Sequence, residues 1–131
     1  MTQEEKDILL KYLCMALPYG VMLQYKDFKP IKLASINEYC VNGTYRIDMC
    51  KPYLKPLSSM TDEEREAFIR IGVEHALQCI EIDNKLESFV LGVKFHKDEL
   101  EYLLERQYDV YGLIPMGLAI EVTESNNPYN D

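Results

Sequence analysis

Lys51-Pro52-Tyr53-Leu54-Lys55-Pro56-Leu57-Ser58-Ser59-Met60-Thr61 is the stretch that divides the chain. Proline fixes φ near about −65° and has no N–H to donate, so Pro52 and Pro56 argue against a helix or a central strand passing through. The stretch reads as a rigid joint. Short strands and turns precede it, and helices follow. Thr61 closes the joint, and Glu64 stands three residues on, the spacing of a capping box that starts a helix.

Upstream of the joint, Thr2 and Glu5 repeat the capping-box spacing. Ile8, Leu9, Tyr12, Leu13 and Ala16 fall on one helical face, and Glu4 and Glu5 suit the positive end of a helix dipole. Pro18 and Gly20 end the pattern, so a helix is expected over about 3–16. Val21–Tyr25, Ile31–Ile36, Glu38–Val41 and Thr44–Asp48 then read as short strands. Asn42-Gly43 sits between the last two, and both residues tolerate the positive φ that a tight hairpin needs. Residues 20–50 are therefore expected to form a small antiparallel sheet of three to four strands. The first helix is the nearest cover for its apolar face.

Downstream, Asp62-Glu63-Glu64 load a helix start with acid, and Phe68, Ile71, Gly72, His75, Ala76, Cys79 and Ile80 keep helical spacing. This predicts a helix over about 62–79. Residues 86–95 fit two patterns. Phe89, Leu91, Val93 and Phe95 alternate, whereas Ile82, Leu86, Phe89, Val90 and Val93 fit a helix; the β-branched and aromatic content favours strand. A last helix begins at Asp98-Glu99, carries Leu100, Leu103, Leu104 and Tyr108 on one face, and ends near Asp109. Tyr111–Gly117 is turn, Leu118–Val122 a final strand, and the polar tail from Thr123 is expected to fray. The fold class is α+β: an N-terminal helix, a small antiparallel sheet, a Pro-rich joint, then two helices with one or two further short strands. One domain is expected over 1–131, with a helix-plus-sheet half (1–50), the joint (51–61), a mainly helical half (62–122) and a flexible tail (123–131).

At 131 residues, with 47% hydrophobic and 27% charged side chains, the chain is long enough to bury a core. No apolar run reaches the ~18 residues of a membrane span. The acidic start, Met1-Thr2-Gln3-Glu4-Glu5, is unlike a secretory signal, so a cytoplasmic location with reduced thiols is expected. Cys14, Cys40, Cys50 and Cys79 show no Cys-x-x-Cys spacing. Cys14, Cys40 and Cys79 lie among apolar neighbours and read as small buried hydrophobes. The net charge of −8 is uneven: residues 1–60 carry eight Lys and Arg against six Asp and Glu, and residues 61–131 carry six against sixteen. Nucleic acid is an unfavourable partner for the acidic half. Lys26, Lys29, Lys32, Arg46, Lys51 and Lys55 offer at most a shallow basic patch on the sheet half.

The residue types that carry chemistry are sparse. His75 and Cys79 stand four apart on one helix face and could begin a metal site, but two ligands do not complete one. His96 reads as a surface or capping residue. Ser58 and Ser59 have no nucleophile-elbow context and read as turn hydroxyls. The carboxylate pairs Glu63-Glu64 and Asp98-Glu99 lie at helix starts, where dipole compensation accounts for them. No glycine-rich phosphate loop occurs. Tyr19, Tyr25, Tyr39, Tyr45 and Tyr53 gather in the sheet half, where they either pack a sheet face or present an aromatic platform to a partner.

Three stretches carry a resemblance: Leu17-Pro18-Tyr19-Gly20-Val21; the joint, Lys51–Leu54 and Pro56–Thr61; and Tyr111-Gly112-Leu113-Ile114-Pro115-Met116-Gly117-Leu118-Ala119-Ile120-Glu121. On these the chain resembles a family of small uncharacterised proteins encoded by gut Bacteroides species and their relatives, often in prophages or other mobile elements. It departs from the family's pattern at Asp109-Val110-Tyr111, where the family has Asp-Tyr-Arg, and through 72–95. The resemblance implies a bacterial or phage context and a cytoplasmic location. It carries over no activity and no functional residue.

Together these features lead to the expectation of a non-catalytic protein-binding or accessory module, with no cofactor, no catalytic or metal residues assigned, and an unidentified protein partner. The alternatives are an acidic nucleic-acid mimic acting on a host DNA-binding protein, weak nucleic-acid binding through the basic sheet half, and a metal protein or enzyme using His75 and Cys79.

Overall fold

The computed structural model describes residues 1–76 and 97–129 and has an α+β fold. Helix α1 spans Gln3–Ala16. Thr2 caps it through the expected box: the Glu5 N–H donates to Thr2 Oγ1 at 3.1 Å, and the Thr2 N–H donates to Glu5 Oε1 at 2.8 Å. Leu9, Tyr12, Leu13 and Ala16 form its buried face. A 3-10 turn, Leu17–Tyr19, follows, and Gly20 at φ 72° ends it in the left-handed region that favours glycine.

Strands β1 (Met22–Tyr25), β2 (Ile31–Lys32), β3 (Cys40–Val41) and β4 (Tyr45–Arg46) come next, then β5 (Cys50–Leu54). The single antiparallel sheet expected over 20–50 is corrected in two ways. The hairpin β3–β4 forms a ribbon of its own, and the larger sheet is mixed, ordered β2-β1-β5-β6, with β6 (Ile120–Glu121) parallel to β5. Asn42 explains the separation. Its side chain accepts from the N–H groups of Ala34 and Ser35 (2.8 and 3.1 Å) and donates to the Lys32 carbonyl (2.9 Å). The ribbon is thereby pinned beside β2 without extending the ladder. The hairpin turn is as expected, with Asn42 at φ 54° and Gly43 at φ 71°. Its second strand stops at Arg46, because Ile47–Met49 turns in a 3-10 helix.

The larger correction concerns the joint. Cys50–Leu54 is a central strand with Pro52 inside it, paired to β1 on one side and β6 on the other. The tolerance is geometric. Leu54 accepts the Val122 N–H on the β6 side, and residues two apart in a strand direct their backbone groups to the same side. Pro52 therefore faces β6, whose pairing begins only at Tyr53. The missing N–H falls where no ladder bond is required. Beyond β5 the pairing continues irregularly. The Lys55 N–H donates to the Gln107 carbonyl (2.8 Å), and the Lys55 carbonyl accepts from Asp109 (2.9 Å).

Helix α2 (Asp62–Ala76) starts on the Thr61–Glu64 capping box, whose two reciprocal bonds are 3.2 Å each. Helix α3 spans Lys97–Glu105 and ends four residues before the expected Asp109. Gln107, at φ 59°, turns the chain out of it toward Lys55. One buried cluster joins Leu9, Tyr12 and Leu13 of α1 to Leu23, Cys50 and Leu54 of the sheet, Phe68 of α2 and Leu103 of α3. Leu23 pairs with Pro52 and Tyr25 with Cys50, so these share the core-facing side of the sheet. Lys32 and Lys51 pair with Met22 and Gln24 and lie on the opposite side, where both lysines are exposed.

The tail from Thr123 carries specific bonds as far as Tyr129. The Tyr129 hydroxyl accepts the Met22 N–H at 3.0 Å and donates to the Tyr53 carbonyl at 2.6 Å. Met22 and Tyr53 are the next opposing pair after Leu23 and Pro52. The phenol thus stands where the two strands would otherwise bond directly. Residues 86–95, Cys79, His96, the end of the helix expected over 62–79 and the His75 side chain lie outside the described residues.

Candidate functional site

Among the described residues, three places gather the side chains that bear chemistry. The first is a hollow of about 390 Å³ at the joint, lined in part by Lys55, Ser59, Thr61, Glu64, Tyr108 and Asn127. Glu64 is its hub. Its Oε1 takes the Tyr108 hydroxyl at 2.7 Å and the Thr61 N–H, and its Oε2 lies 3.7 Å from Arg106 Nε. Burial opposes ionisation of Glu64, but the hydrogen bonds from Tyr108 and Thr61 and the Lys55 charge outweigh it and hold the carboxyl below its ordinary value. Burial and the Glu64 contact push the Tyr108 phenol well up, so it acts as a donor. Lys55 Nζ stands 5.7 Å over the Tyr108 ring, and the Arg106 guanidinium lies 3.7 Å over Tyr102. The network binds the joint to α2 and α3. Ser59 donates to the Pro56 carbonyl at 2.7 Å, as a turn hydroxyl does.

The second place is a hollow of about 290 Å³ on the other flank of the joint, between Pro56-Leu57-Ser58 and the loop after Asp109. Asp109 is 6% exposed. Its carboxylate accepts the N–H of Leu113 at 2.7 Å and of Ile114 at 2.9 Å. Burial pushes its carboxyl up, against the pull of these donors. The sequence reading missed Asp109 as an organiser. The usable signal was an Asp followed at i+3 by Gly112 and then by two apolar residues whose amides fold back on it.

The third is an aromatic patch. The Tyr25 ring packs on Tyr45 at 4.7 Å and on Phe28 at 5.6 Å between centroids. Lys26 Nζ stands 5.4 Å over the Tyr25 ring, and Phe28 remains 56% exposed. Tyr39, on the same hairpin as Tyr45, is 69% exposed. Of the five tyrosines expected to gather here, Tyr25 and Tyr45 meet. Tyr53 is buried in β5, and Tyr19 lies half-buried on the first 3-10 turn, its carbonyl taking the Gln107 side-chain amide.

Among the described cysteines the expectation is corrected for Cys14, which is exposed, and for Cys40, which is half-buried; Cys50 is buried and donates to the Arg46 carbonyl at 3.3 Å. Cys14 falls outside the apolar stripe of α1 despite its apolar neighbours, because a helix turns adjacent residues to different faces. Among the described residues no three His, Cys, Asp or Glu side chains converge as a metal-ligand set, and no helix is long and apolar enough to cross a membrane. In comparisons with known proteins, the chain matches no family model, no curated protein and no solved structure.

Proposed function

We propose that the chain is a non-catalytic protein-binding module whose contact surface is the aromatic patch of Tyr25, Phe28 and Tyr45. One observation carries this: Tyr25 holds Phe28 and Tyr45 in ring contact while Phe28 stays 56% exposed. Aromatic side chains that are already packed lose little freedom on binding and dominate the energetics of protein interfaces. Lys26, Lys29 and the half-buried Ile31 adjoin the patch in sequence and provide a polar rim beside apolar surface. On the resemblance to proteins of prophages and mobile elements, the partner proposed is a protein of a bacterial cytoplasm.

The test is a comparison of proteins retained by the wild type with those retained by Phe28→Ala and by Phe28→Ala/Tyr45→Ala. A partner retained by the wild type and lost from both variants, with Phe28→Ala melting as the wild type does, is the expected result. Identical retention by all three would reject the patch as the contact surface.

A further inference from the structure

The hollow beside Asp109 has a chemistry of its own. Its walls include Pro56, Leu57, Ile114 and Pro115, and the exposed Glu121 also lines it. Asp109 contributes a carboxylate satisfied by backbone N–H groups, and no Lys or Arg among the described residues forms an ion pair with it. A buried carboxylate without a counter-cation is costly, and an opposite charge brought beside it recovers part of that cost. The apolar walls select for an aliphatic stem, and the exposed Glu121 carboxylate, together with the buried charge of Asp109, selects for a cationic head. Lysine and arginine combine these features. Asp109 and Glu121 belong to the acid-rich part of the sequence, residues 61–131, whose surplus of negative charge favours the approach of a basic segment.

We infer that the hollow between the joint and the Asp109 loop receives a lysine or arginine side chain of a basic protein partner. None of its lining residues belongs to the Tyr25–Phe28–Tyr45 patch, so this inference stands or falls apart from the one above.

The probes are the capped amino acids N-acetyl-arginine amide and N-acetyl-lysine amide. The neutral controls are N-acetyl-citrulline amide and N-acetyl-norleucine amide, and agmatine represents a free small amine. Each is titrated into the ¹⁵N-labelled full chain, following the Gly112, Leu113 and Ile114 amides. The expected result is saturable shifts at those amides with the capped cations, at least fivefold weaker binding of citrulline and norleucine, and a several-fold loss of affinity in Glu121→Gln. Asp109→Asn removes the remaining charge, and exposed Glu121 supplies a variant that does not depend on refolding the loop. Equal binding of the neutral probes, shifts that map elsewhere, or no effect of Glu121→Gln would overturn the inference. Binding of agmatine without binding of the capped arginine would also overturn it, because the hollow would then suit a free amine and not a chain-borne side chain.

Discussion

Tyr129 shows how much one side chain far along the sequence can hold. Its hydroxyl serves both Met22 and Tyr53. Tyr129→Phe leaves one strand N–H and one strand carbonyl unbonded, and is expected to cost about 1–3 kcal/mol, measured by urea denaturation. Glu64 gives a pH-dependent counterpart. Its carboxyl is held below the ordinary value of 4.5. The stability it contributes is therefore present above that value and lost as pH falls through the lowered folded value. Glu64→Gln should be the less stable protein at pH 7 by about 1–2 kcal/mol, and the gap should close on acidification; a gap constant with pH would separate Glu64 from the effect. Among the thiols, burial pushes Cys50 to about 11, with the Asp48 charge adding to it. Thiolate is the reactive form. At pH 8, mass spectrometry of alkylated Cys79→Ser protein should find Cys14 modified well before Cys50.

Elements set by near neighbours could be read directly from the chain. Both capping boxes join residues three apart, and both hold in the structure. Thr61→Ala is expected to cost about 1 kcal/mol of stability, visible as a lower melting temperature. The α1 stripe was legible for the same reason, since helical spacing alone places Leu9, Tyr12, Leu13 and Ala16 together. Strand β5 was not legible. Whether Pro52 is admissible in a central strand depends on where β6 begins pairing, and β6 lies more than sixty residues downstream. The hairpin turn at Asn42-Gly43 could be foreseen, but not the second role of Asn42. The three side-chain bonds that tie Asn42 to residues 32–35 are set by tertiary packing, not by turn preference.

At the scale of the whole molecule, the joint is the place where early and late segments meet. Cys50–Lys55 bonds to β1, to residues 107–109 and to β6. Tyr53, buried in that strand, should therefore be intolerant of truncation. Tyr53→Ala is expected to cost about 3–5 kcal/mol in denaturant unfolding, and an unchanged midpoint would show the joint to be a tether only. The candidate sites were legible in proportion to their locality. Tyr25, Phe28 and Tyr45 come from one short region, and two of them stood out as a tyrosine group. The Asp109 hollow draws on 56–58 and 109–121, two stretches that only the folded sheet brings together. The parallel β5–β6 pairing also bears on the order of folding. A growing chain that has reached residue 106 can pair β5 with β1, but Leu54 and Lys55 still lack Val122, Gln107 and Asp109. Closing those contacts, and the one across 76 residues between Tyr53 and Tyr129, means forming large loops before their bonds are gained. The central strand should thus be among the last parts to gain hydrogen-exchange protection during refolding, after the independently capped α1.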